Sequence, residues 1–91
     1  MDLNQELQAF QQKYTNLAQQ SKSGGLEQHV YSQIATNSNF SPNVMSAKQR
    51  AFETQISLVS LAKVLDPPNG LHIVWEAIEE LERIAGLPPL R

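Results

Sequence analysis

Residues 52–86, FETQISLVSLAKVLDPPNGLHIVWEAIEELERIAG, decide the fold of this 91-residue chain. Two apolar-rich segments flank the run DPPNG at 66–70, where each Pro removes a backbone donor and disfavours helix in the residue before it. We therefore predict one long helix over residues 42–65 and a last helix over 71–85. Because the loop between them is tight, the two helices should be antiparallel neighbours.

The apolar positions of these two helices predict how they meet. On the long helix, one line of apolar side chains should face the last helix: Met45, Phe52, Ile56 and Val59. A second line appears only in the later half of the helix, which should be covered from two sides: Leu58, Leu61, Ala62 and Leu65. The antiparallel geometry then predicts four contacts: Phe52 with Ile84, Ile56 with Leu81, Val59 with Ile78, and Lys63 with Glu76. At the start of the long helix, Ser41 is the expected N-cap before Pro42, with Phe40 and Met45 as a hydrophobic staple.

The N-terminal segment has the clearest helical pattern in the chain. Its apolar residues are spaced 4, 3, 4 and 3 apart: Leu3, Leu7, Phe10, Tyr14 and Leu17. We expect Gly24 and Gly25 to end this helix, because glycine suits the left-handed position after a helix. The stripe spans less than three heptads, so it should pack onto the rest of the domain or onto a second copy. We predict an isologous homodimer through Leu7, Phe10, Tyr14 and Leu17.

Between these elements lies a short predicted helix of about three turns, in which Leu26, Val30 and Ile34 recur every fourth residue. The fold class is therefore all-α: a small four-helix bundle with a short second helix, built on the antiparallel hairpin of helices three and four. The length favours a single helical domain over residues 1–91. Within it, residues 42–87 form the helical-hairpin core, and residues 1–22 form an N-terminal amphipathic helix arm.

Composition excludes several classes of function. The chain has no Cys, which removes thiolate chemistry and thiolate metal sites. Its formal net charge of −2 gives no basic footprint for nucleic acid. No apolar stretch is long enough for a membrane span. The polar N-terminus lacks the pattern of a secretory signal, so we expect a cytoplasmic protein.

The residues offer little for catalysis or metal binding. His72 and Glu76 lie four apart on one helix face, but a zinc site needs three or four ligands. His29 is the candidate for a phosphorelay, yet Val30, Tyr31 and Ser32 stand where relay bundles usually carry a Lys and a small residue. No nucleophile elbow, phosphate loop or dinucleotide fingerprint is present. We therefore expect no enzyme activity, no metal and no cofactor.

The remaining signals are an acidic face and surplus apolar surface on the last helix. Five residues are the predicted partner-binding set: Trp75, Glu76, Glu79, Glu80 and Glu82. They favour a non-catalytic protein-interaction or adaptor module that binds a protein of unknown identity. The alternative is an acidic inhibitor or immunity-like protein that masks a basic site on its partner.

Overall fold

The computed structural model describes residues 2–38 and 46–91, and over these ranges the fold is a small all-α bundle without strands. The elements are α1 (Leu3–Gln20), α2 (Leu26–Asn37), α3 (Ala47–Asn69) and α4 (Ile73–Ala85). Most contacts lie within the pairs α1–α2 and α3–α4, which confirms the predicted hairpin. In the described ranges, no helix has the length and apolar character needed to cross a membrane.

Helix α1 ends without the predicted glycine cap. Ser21 is extended after the last helical residue, and its hydroxyl donates to the Leu17 carbonyl at 2.7 Å. Gly24 takes a positive φ of 78° further along, in the turn that leads to α2. Gln28 Nε2 also donates to the Ala18 carbonyl at 3.3 Å, so side chains satisfy this helix end and the left-handed residue serves the reversal of the chain.

Helix α3 begins later than predicted. Ser46 is its N-cap, in an extended conformation, and its hydroxyl accepts from the Gln49 amide at 3.1 Å. The helix therefore starts at Ala47, and the predicted start at Pro42 is wrong. The predicted Ser41 cap and its Phe40–Met45 staple lie outside the described residues.

The end of α3 also differs from the prediction, because the helix passes through Pro67 and Pro68 to Asn69. A Pro removes the bond that its own amide would make, but the last turn still closes through Gly70 N to Asp66 O at 2.7 Å. Gly70 then ends the helix at a φ of 65°. The last helix begins at Ile73, two residues later than predicted.

The buried face of α3 follows the second predicted apolar line more closely than the first. Leu58 is fully buried between Ala51 and Ala62, whereas Phe52 and Ile56 lie on the opposite side, 38% and 43% exposed. Phe52 and Ile56 are therefore not core residues, and their contacts with Ile84 and Leu81 stay predictions. Small alanines on the buried face allow close helix approach. The same face also carries two polar residues, Thr54 and Gln55, so a pattern of apolar residues alone does not predict it.

One core joins all four helices and includes the N-terminal one. Its buried apolar members are Leu7, Phe10, Tyr14, Val30, Ile34, Ala51, Leu58, Ala62, Val74, Ala77, Ile78, Leu81, Ala85 and Leu87. The end of α4 is as predicted, because Gly86 is left-handed and the Leu87 amide donates to the Glu82 carbonyl at 3.0 Å.

Candidate functional site

The residues predicted for self-association lie in the chain's own core. Leu7, Phe10 and Tyr14 are at most 5% exposed, and Leu17 is half-buried. The Tyr14 ring packs 5.0 Å from the ring of Phe10 and 6.1 Å from that of Tyr31 on α2, measured between centroids. A second copy cannot reach these side chains while the domain is folded. Self-association stays a prediction, and it requires a different surface.

The predicted acidic face of α4 is divided among different intramolecular contacts. Glu80 accepts from Lys13 Nζ at 3.0 Å and from the Tyr14 hydroxyl at 3.2 Å, which ties α4 to α1. Glu82 accepts from Gln55 Nε2 at 2.7 Å and from the Leu90 amide at 3.3 Å. These two carboxylates therefore serve the fold and are not freely presented together.

The chain itself supplies the basic group that meets the rest of this face. The Arg91 guanidinium lies 4.9 Å from the centroid of the Trp75 ring, and its Nη1 is 3.5 Å from Glu79 Oε1. Glu76 is exposed and forms no side-chain hydrogen bond or ion pair in the described residues, so the predicted pair with Lys63 is absent there. A basic protein partner for this face remains a prediction.

The Tyr14 hydroxyl has a strongly perturbed environment. Burial raises its pKa, and the adjacent Glu80 carboxylate raises it further, because tyrosinate would lose its water and face a negative charge. The unfolded chain releases this proton near pH 10, roughly the usual tyrosine value, whereas the folded chain keeps it. The stabilisation is thus complete below that pH and is lost as the pH rises further.

We therefore expect the Tyr14→Phe variant to lose part of the alkaline dependence of the free energy of unfolding. In the wild-type protein, one of the two tyrosines should ionise only as the domain unfolds. A titration that follows tyrosinate absorbance together with helicity checks this expectation. Tyr31→Phe is the matched control, and in this variant one tyrosine should still ionise only as the domain unfolds. Loss of this late ionisation in Tyr31→Phe, with its retention in Tyr14→Phe, would contradict the assignment.

Sequence reasoning missed several buried polar side chains, and two of them, Gln55 and Asp66, bind distant parts of the chain. Gln55 is fully buried, and its Nε2 donates to the Pro88 carbonyl at 2.9 Å as well as to Glu82. Asp66 is 1% exposed, and its carboxylate accepts from the amides of Val74 at 3.3 Å and Trp75 at 2.9 Å. Asp66 thus caps α4 from the preceding helix. The available signal was that His72, at the N-cap position of α4, supplies no capping side chain, so that another residue has to cap the helix.

The outer side of α3 is the surface on which exposed apolar residues are most concentrated. Five large apolar side chains of the described residues are exposed: Leu26, Phe52, Ile56, Val64 and Leu90. Three of them are on α3, and at about 100° per residue they fall on one side of it. We define the α3 outer face as six exposed residues within an arc of roughly 120°: Phe52, Glu53, Ile56, Ser60, Lys63 and Val64.

The apolar surface continues beyond α3 onto the C-terminal segment. A shallow depression beside Phe52 is also lined by Leu87 and Pro88, together with three polar residues, Ser46, Lys48 and Gln49. The backbone of this segment is held in place by Gln55 through the Pro88 carbonyl. The depression and the α3 outer face therefore form one continuous surface on a fixed scaffold.

The described residues contain no cluster of three potential metal ligands, and both His29 and His72 are exposed. Comparison with known proteins identifies no relative: no family model, no curated protein and no solved structure matches this chain.

Proposed function

We propose that this protein is a small protein-interaction module that acts by binding and self-associates through the α3 outer face. The observation that supports this is the exposure of Phe52, Ile56 and Val64, at 38%, 43% and 67%, along one side of one helix. Single exposed apolar residues are ordinary on monomers, but a stripe of three on one helix, interrupted by Ser60, favours an interface. Covering such a stripe is favourable by about 25 cal/mol for each Å² of apolar surface removed from water.

The charges of this face favour a second copy of the chain as the occupant. The face carries one carboxylate, Glu53, and one ammonium group, Lys63, both exposed. A surface that holds one charge of each sign can complement itself when two copies meet face to face. The buried residues of α1 then serve the fold, and α3 supplies the contact between chains.

Replacing Ile56 by Asp is the direct test. Ile56 lies near the middle of the face, and in an isologous dimer each substitution counts twice. Removing two buried isoleucines should weaken the dimer by about a hundredfold or more. The helicity should be unchanged, because the side chain is already 43% exposed. Light scattering over a wide concentration range measures the mass, and circular dichroism checks the fold.

Leu26→Asp is the matched control, because Leu26 is a comparably exposed leucine, at 45%, on α2. It should leave the dimer unchanged. A wild-type protein that stays monomeric at every concentration would refute self-association. A dimer that Ile56→Asp leaves intact and Leu26→Asp dissociates would move the interface to α2.

A further inference from the structure

The residues of the α3 outer face pair off around a single point of the helix. Phe52 and Val64, Glu53 and Lys63, and Ile56 and Ser60 are three pairs whose midpoints all fall at position 58. The side chain of Leu58 points into the core, so this level of the helix presents its outer face to solvent. A two-fold axis that crosses the helix here would exchange the members of every pair.

From this symmetry, and resting on the proposed function, we infer that two copies pair their α3 helices antiparallel, with the two-fold axis at the level of Leu58. Phe52 then lies at the same height as Val64 of the second copy, and Ile56 lies at the same height as Ser60. The two Glu53–Lys63 pairs lie between these two levels, one on each side of the two-fold axis. The small Ser60 gives Ile56 room to approach the facing helix.

The charges distinguish this arrangement from a parallel one. In a parallel pair in register, Glu53 would face Glu53 and Lys63 would face Lys63, so that both charged positions would repel. In the antiparallel pair both attract, and the helix dipoles are also opposed. Pro67 of the second copy falls opposite Gln49, beside the depression that Phe52, Leu87 and Pro88 line.

Charge exchange at positions 53 and 63 tests the pairing. Glu53→Lys alone, or Lys63→Glu alone, converts two attractive contacts into two repulsive ones and should weaken the dimer by about tenfold. The double variant with both changes restores every opposite-charge contact, and its dissociation constant should return to within about threefold of the wild type. The measurement is sedimentation equilibrium at low ionic strength, where exposed charges are least screened.

A control variant keeps the net charge of the double variant but moves the compensating change. Glu53→Lys combined with Lys48→Glu should not restore binding, because Lys48 would lie opposite Pro68. Single variants that leave the dissociation constant unchanged, while Ile56→Asp dissociates the dimer, would overturn the antiparallel arrangement and leave the proposed function standing. A monomeric wild-type protein would remove both.

A distance measurement gives an independent answer. The chain has no native Cys, so Lys48→Cys provides a single site for a nitroxide spin label. Position 48 is about ten residues from the axis, and at 1.5 Å per residue the two labelled backbones should be separated along the helix by about 30 Å. A parallel pair in register would bring them to about 10 Å, the distance between packed helices, and would overturn the inference.

Discussion

Replacing Phe10 by Asp is expected to unfold the domain, and this is the largest effect that the structure predicts. The Phe10 side chain is 2% exposed and packs against Tyr14. Truncation of a buried Phe costs about 3–5 kcal/mol, and burial of a carboxylate adds to that cost. A domain of this size has a total free energy of unfolding of about 5–15 kcal/mol. Circular dichroism and urea denaturation should show a largely unfolded chain.

Phe52→Asp is the matched control, because it makes the same chemical change at a phenylalanine that is 38% exposed. We expect this variant to keep its helicity and its cooperative unfolding. A folded monomer produced by Phe10→Asp would mean that α1 is a contact between chains, as its apolar spacing alone suggested. It would also contradict the intramolecular packing of α1 described above.

Replacing Asp66 by Ala is expected to produce the second largest effect. The change leaves the amides of Val74 and Trp75 without their acceptor at the start of α4. Loss of an N-cap costs about 0.5–2 kcal/mol, and an unsatisfied buried donor costs about 1–3 kcal/mol. We expect a combined loss of about 2–4 kcal/mol, which lowers the Tm by roughly 10–25 °C in a domain of this length.

Asp2→Ala is the control for capping without burial. Asp2 caps α1 through the Gln5 amide at 2.9 Å, but it is exposed. Water can replace its bond, so the loss should stay below about 1 kcal/mol. Asp66→Asn keeps one acceptor oxygen and should fall between the two. Equal losses for Asp2→Ala and Asp66→Ala in thermal denaturation would show that burial adds nothing to the role of Asp66.

Helix content and the main pairing of helices follow from local patterns in the sequence. The period of the apolar residues in α1 and α4 predicts those two helices closely, including the end of α4 at Ala85. The boundaries of α3 were predicted less well. A capping serine at 46 and two prolines in a last turn are both compatible with more than one local structure.

The candidate site could not be predicted in the same way, because exposure is a property of the packed molecule. Phe52 and Ile56 are as apolar as any core residue, so the sequence pattern predicts that both are buried, but they are exposed. Gln55 lies on the buried side instead, where its Nε2 donates to Glu82 and to the Pro88 carbonyl, while its Oε1 accepts no hydrogen bond in the described residues. A buried amide is acceptable only when such partners are present, and they come from a distant part of the chain.

By itself, therefore, the sequence determined that this protein is a small all-α bundle with an antiparallel α3–α4 hairpin, since helical periodicity and turn residues act over a few neighbours. The tertiary structure alone decided that the α1 stripe is core, that Asp66 caps α4, and that Phe52, Ile56 and Val64 face outward. Those outcomes depend on which side chains meet across the bundle, and hydrogen-bond partners far apart in the chain select them.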